Sequence, residues 1–167
     1  PQAKQFELIK DPRVAVTNQD LEEQFNLLIH IRNRISETHN AVHTLRSVRR
    51  QVNEWVVRAD ATGGNEILSQ RAKVIRDQLN LVEEELVTAH DGEYDKLSLP
   101  QKLNAKLAEL TFVVASADAA PTRQSYHVFD DISARVESQI EKLQEVMDKD
   151  LIEFVNTVHE LEIPTIV

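Results

Sequence analysis

The chain has 167 residues with 41% hydrophobic and 28% charged side chains, enough to bury the core of one globular domain. Its formal net charge of -9 argues against phosphate-backbone binding as the main task. With no cysteine there is no disulfide framework and no thiolate chemistry. Only 3 glycines and 5 prolines are present, too few to turn the many corners of a β-sandwich or barrel. The rest is dominated by good helix formers.

Residues 1–16 lack helical periodicity, and Pro12 biases Asp11 toward extended backbone. This predicts an extended lead-in pinned to the rest by Phe6, Leu8 and Ile9. A helical bundle domain is expected over 17–167. Thr17 or Asn18 can cap its first helix, with Asp20, Glu22 and Glu23 in the first turn. No Gly or Pro then interrupts the chain until Gly63. Leu21, Leu28, Ile35 and Val42 repeat at a spacing of seven, and Ile31, Leu45 and Val52 form a second row, with Trp55 near the end of the helix. A helix of about 40 residues, about 60 Å long, is predicted.

Thr62-Gly63-Gly64-Asn65 reads as a turn that ends helix one and caps helix two. Helix two carries a coiled-coil-like seam of Leu68, Ala72, Ile75, Leu79, Val82 and Leu86 and should stop near Asp91. An irregular connection follows through Tyr94 to Leu99. Pro100 is expected in the first turn of helix three. Its seam is Leu103, Leu107, Leu110, Val114 and Ala117. Thr122 caps helix four, whose rows are Phe129, Val136, Leu143 and Ile140, Met147, Phe154, Leu161. Asp148-Lys149-Asp150 interrupts the pattern, so a kink or a local exit of that row to solvent is expected there. The helix should end before Pro164.

The predicted fold is therefore all-α: an antiparallel four-helix bundle with long first and last helices and an extended N-terminal lead-in. In that arrangement helices one and four overhang the shorter pair. Leu21, Phe25 and Leu28 would face Phe154, Val158 and Leu161 there, leaving an interaction seam for the lead-in, a neighbouring domain or a second copy.

No chemistry assembles from the sequence. His39 and His43 share a helical face, but a zincin needs Glu immediately after the first His, and Asn40 stands there. The pair reads as one side chain against the seam and one in solvent. Glu83, Glu84 and Glu85, like Asp130 and Asp131, read as solvated acidic faces. Ser125 and Ser133 lack nucleophile-elbow context. Trp55 reads as an anchor near the end of the bundle. No catalytic residue, cofactor site or metal site is predicted. No apolar run reaches the length of a membrane span, so no membrane insertion is expected. The start at Pro1, without an initiator Met, reads as a cut-out piece of a longer protein or a processed product.

Several strings carry a resemblance. They are Lys10-Asp11-Pro12-Arg13, Asp20-Leu21-Glu22-Glu23-Gln24-Phe25, Ser36-Glu37-Thr38-His39, 100–107 (PQKLNAKL) and 115–122 (ASADAAPT). Together they resemble the C-terminal helical region of large bacterial proteins with sortilin-like BNR repeats, often described as glycosyl hydrolases. The resemblance spans nearly the whole chain, in order. It departs before helix three, where the family often has Tyr-Pro and this chain has Leu99-Pro100. The resemblance implies an exported protein in which this non-catalytic bundle is appended to a BNR-repeat propeller as a structural, docking or assembly module. Its partner would be the neighbouring propeller or another copy of itself. An alternative is an accessory role in a glycoside hydrolase, lining or stabilising a glycan-binding site formed mainly by the propeller.

Overall fold

The computed structural model describes residues 3–7, 9–61, 63–88 and 100–162. The chain is all-α, with no strand among the described residues. Its helices are α1 (Asn18–Ala61), α2 (Glu66–Leu86), α3 (Leu103–Val114), α4 (Arg123–Asp148) and α5 (Asp150–Glu160).

Local chemistry sets most of the boundaries. Thr17 Oγ1 accepts the Asp20 N–H at 3.1 Å while the Asp20 carboxylate accepts the Thr17 N–H at 2.8 Å, a reciprocal box that opens α1. The other end closes through Gly64 N–H to Ala59 C=O at 2.9 Å and Gly63 N–H to Asp60 C=O at 3.3 Å. That pattern needs left-handed backbone, and Gly63 supplies it with φ of 115°. Asn65 then caps α2, its Oδ1 accepting the Leu68 N–H at 3.0 Å. Thr122 does the same for Ser125 at the start of α4.

Two expected boundaries differ. α3 begins at Leu103, so Pro100 precedes the helix rather than forming its first turn. α2 ends at Leu86 with Val87 as its C-cap, before the Asp91 stop; residues 89–99, with the expected Tyr94–Leu99 connection, lie outside the described residues. Pro164 lies outside them too; the last helix ends at Glu160, before that proline as expected. The fourth helix is divided at Lys149, whose φ and ψ of -116° and -73° separate α4 from α5. This break falls on the expected Asp148–Asp150 interruption, where Asp150 occupies a seam position and stays half-buried.

Cross-helix contacts give the directions. Arg46, Arg49 and Asn53 of α1 meet Glu83, Asn80 and Arg76 of α2, so these helices run antiparallel. Gln24 near the start of α1 reaches Val114 at the end of α3, so α3 also runs against α1. His30 stacks on Phe129 and Arg34 pairs with Glu137, so α4 runs parallel to α1. Arg71 pairs with Glu153, placing α5 beside the start of α2. The bundle thus has three columns: α1, then α2 followed by α3, then α4 followed by α5. The expected up-down-up-down order does not hold, because α2 and α3 run in the same direction, both against α1. At 1.5 Å per residue, α2 and α3 share the length of α1 between them.

The core follows the α2 seam as predicted, with all six residues buried. In α3, Leu103, Leu107, Leu110 and Val114 are buried, but Ala117 lies past the helix end and is exposed. In α1 the buried line runs through Gln24, Leu27, Ile31, Thr38, Leu45, Val48 and Val52, while Leu21, Leu28 and Ile35 sit at its edge. In α4 the buried line runs through Ile132, Val136, Gln139, Leu143 and Val146, with Ile140 and Met147 only half-buried. Two polar side chains therefore occupy core positions of α1. Thr38 Oγ1 is satisfied within its own helix, donating to Arg34 C=O at 2.8 Å. Gln24 Nε2 donates to Val114 C=O and Ala117 C=O, both at 2.7 Å, and so terminates α3 from across the bundle. Gln24→Leu fills the same space but removes the donor. A loss of about 1–3 kcal/mol is expected in a denaturant titration; an unchanged midpoint would mean that water serves those carbonyls.

The lead-in is held differently from expectation. Phe6 and Ile9 are exposed, and Leu8 lies outside the described residues. Val16 is the residue that inserts, at 5% exposure, and the Lys10 ammonium donates to its carbonyl. A turn at Asp11, whose carboxylate pairs with Arg13 at 2.7 Å, reverses the segment before α1.

Candidate functional site

The six residues of the expected seam do not come together. Because α1 and α4–α5 run parallel, Leu21, Phe25 and Leu28 lie at the end formed by α1, α3 and the start of α4. Phe154, Val158 and Leu161 lie at the other end, where α5 packs on α2 and α4. Phe154 and Val158 are buried there, so they belong to the core rather than to an open surface. Leu161 is exposed just beyond α5. Of the N-terminal three, Leu21 and Leu28 are half-buried and Phe25 is 61% exposed.

Phe25 has exposed company. The Gln24–Val114 contact brings the end of α3 to this part of α1. There Phe112 is 76% and Val113 62% exposed. Val113 also lines an apolar groove between α3 and α4 with Leu110, Val128 and Ile132.

A second groove lies between α2 and α4–α5, with Gln78, Leu81 and Glu85 on one wall and Gln139, Lys142 and Glu145 on the other. It brings carboxylates to opposite walls, which the sequence runs alone could not do. Their partners decide their character. Glu145 pairs with Lys149 at 2.6 Å, and the hydrogen bond from that ammonium holds its carboxyl below the ordinary range. Glu85 lies 3.8 Å from Arg135. A general acid needs a raised pKa, so the Glu145 arrangement favours a permanently ionised pair over proton donation. Gln78 Oε1 is buried in this groove without a partner among the described residues.

The third feature was missed in the sequence. Glu83 is buried at 4% exposure, unlike Glu84 and Glu85, which are exposed as expected. Arg46 Nε reaches its Oε1 at 2.6 Å and Arg49 Nη1 its Oε2 at 2.7 Å. Burial alone would push the Glu83 carboxyl up, but the two guanidinium hydrogen bonds and charges outweigh it and hold the group below its usual value. Beside this knot, Arg46, Arg49, Arg50, Asn53 and Val57 share one side of α1 and line a trough that also includes Glu54 and Arg58. The available signal was rotational: Glu83 follows the seam residue Val82 by one position, on the flank turned toward the α1 arginines.

His39 and His43 are both exposed, so neither lies against the seam. No group of three or more His, Asp or Glu suited to a metal ion occurs among the described residues. Asp130 and Asp131 are exposed neighbours on α4. Ser125 is buried and takes part in the α4 cap, its Oγ 3.0 Å from Thr122 Oγ1, while Ser133 Oγ is buried without a partner among the described residues. Trp55 is half-buried, with the Arg58 guanidinium 5.0 Å from its ring centroid. Among the described residues no helix is long and apolar enough to cross a membrane. Comparison with protein-family models, curated proteins and solved structures finds no match to this chain.

Proposed function

We propose that this chain is a non-catalytic helical bundle that docks onto, or helps to assemble, a larger protein. The observation that carries this reading is the exposure of Phe25, Phe112 and Val113 at one end of the bundle. Aromatic side chains are scarce here, with 5 Phe in the chain, and placing two of them in water at the same end forgoes burial worth about 1.5–3 kcal/mol each. A covered interface recovers that energy. The neighbouring domain that the resemblance implies, a BNR-repeat propeller of an exported protein, is the partner assigned to this surface.

Co-expression with that propeller tests the assignment. Wild-type bundle is expected to co-purify with it, and a Phe25→Ser, Phe112→Ser double variant is expected not to. Both side chains are exposed, so the variant should keep the wild-type thermal midpoint. Undiminished co-purification of the variant would sink the proposal. Sedimentation across the micromolar range separates the assembly form, since a strictly monomeric chain rules out self-association through this end.

A further inference from the structure

The trough on the C-terminal half of α1 is unlike the rest of this acidic molecule. Arg46, Arg49, Arg50, Asn53 and Val57 stand at helical offsets of three, four, seven and eleven, so they project from one side. Arg76 joins them from α2, its Nη1 donating to Asn53 Oδ1 at 3.0 Å. Two carboxylates, Glu54 and Glu83, pair with three of these cations, Arg46, Arg49 and Arg50, and do not match them in number. Glu83 is buried beneath the arginines and engages Arg46 only through Nε, which leaves the outer edge of that guanidinium facing water at 54% side-chain exposure. Arg50 is 71% exposed and forms only a long ion pair, 3.9 Å, with Glu54, a carboxylate that also lines the trough. This face therefore carries positive charge on a chain whose net charge is -9.

We propose that this trough is a docking surface for an acidic protein segment, a helix with carboxylates three or four residues apart. The cations are spaced as the side chains of such a helix are, about 5–6 Å from one to the next. Guanidinium groups match carboxylates with paired hydrogen bonds and lose little solvation in doing so. Val57, 68% exposed among the arginines, offers an apolar contact that a peptide side chain can use. Duplex nucleic acid fits less well. From Arg46 to Arg58 the trough is only about 18 Å long at 1.5 Å per residue, which is about five steps of a duplex backbone at about 3.4 Å each. The surface lies on the half of α1 away from Phe25, so this inference does not depend on the docking end proposed above.

The test is fluorescence anisotropy at low salt. The probe is a labelled helical peptide carrying Glu at every third or fourth position. Saturable binding is expected, weakening as salt is raised. Arg50→Glu should lower the affinity at least tenfold. Lys142→Glu, which changes the net charge equally but lies in the α2–α4 groove, should leave it within twofold; circular dichroism checks that both variants fold. No binding of the peptide, or equal loss in the two variants, overturns the proposal. Tighter binding of a DNA duplex of matched charge overturns the choice of partner, as does self-association that Arg50→Glu abolishes.

Discussion

Phe154→Ala is expected to destabilise the bundle by about 3–5 kcal/mol, read as a shift of the urea midpoint. Phe154 is 1% exposed and is among the largest fully buried side chains. Its helix has few other anchors. α5 has 11 residues and buries only Phe154, Thr157 and Val158. Lys149 separates it from α4, and Lys149 as N-cap makes no side-chain capping bond, so α5 depends on packing against α2 and α4 more than on its own continuity. The position of the damage is as informative as its size. Arg71–Glu153 places α5 at the start of α2, so hydrogen exchange should rise first around Leu68 and Ala72. Leu27 and Ile31, at the far end of the bundle, should keep their protection in sub-global exchange. Equal loss at both ends would contradict the parallel course of α1 and α4–α5.

Glu83→Ala is expected to cost about 2–3 kcal/mol. Removing one partner of a buried pair costs about 3–5 kcal/mol. Here the figure is reduced because the arginines left behind, at 54% and 27% side-chain exposure, regain water. The effect has a pH signature with a definite sign. The folded-state carboxyl titrates below its ordinary 4.5, so the unfolded chain takes up its proton first as pH falls. The stabilisation is complete above the unfolded value and is lost as pH drops through the folded one. Glu83→Gln removes this contribution while keeping the shape of the side chain. Urea midpoints measured from neutral pH to below pH 4.5 should fall more steeply for wild type than for the glutamine variant. Parallel curves would mean that Glu83 holds its proton equally in both states.

The proposed sites were unequally legible. The α1 arginines stand out in the sequence, yet their counter-ion did not, because Glu83, Glu84 and Glu85 are identical in type and differ only in rotation about α2. Gln24 was hidden for the opposite reason. Its polarity masks a core position, and what makes it tolerable there is a pair of carbonyls about ninety residues away. Phe25 was identified as a seam residue, but Phe112, its companion at the same end, lies on an α3 whose direction the sequence did not reveal.

The amino-acid sequence was enough for the helical class, the caps at Asn65 and Thr122, an α1 cap at Thr17 or Asn18, the glycine turn, the α2 seam and the interruption around Lys149. These depend on hydrogen bonds and side-chain spacing within a few residues, so local chemistry decides them. Tertiary structure alone decided that α2 and α3 run one after the other along α1, and that Leu21 and Phe154 therefore lie at opposite ends. Helix direction depends on where a connection delivers the chain and on which faces then find cover. Periodicity, which is unchanged when a helix is reversed, carries no record of that choice.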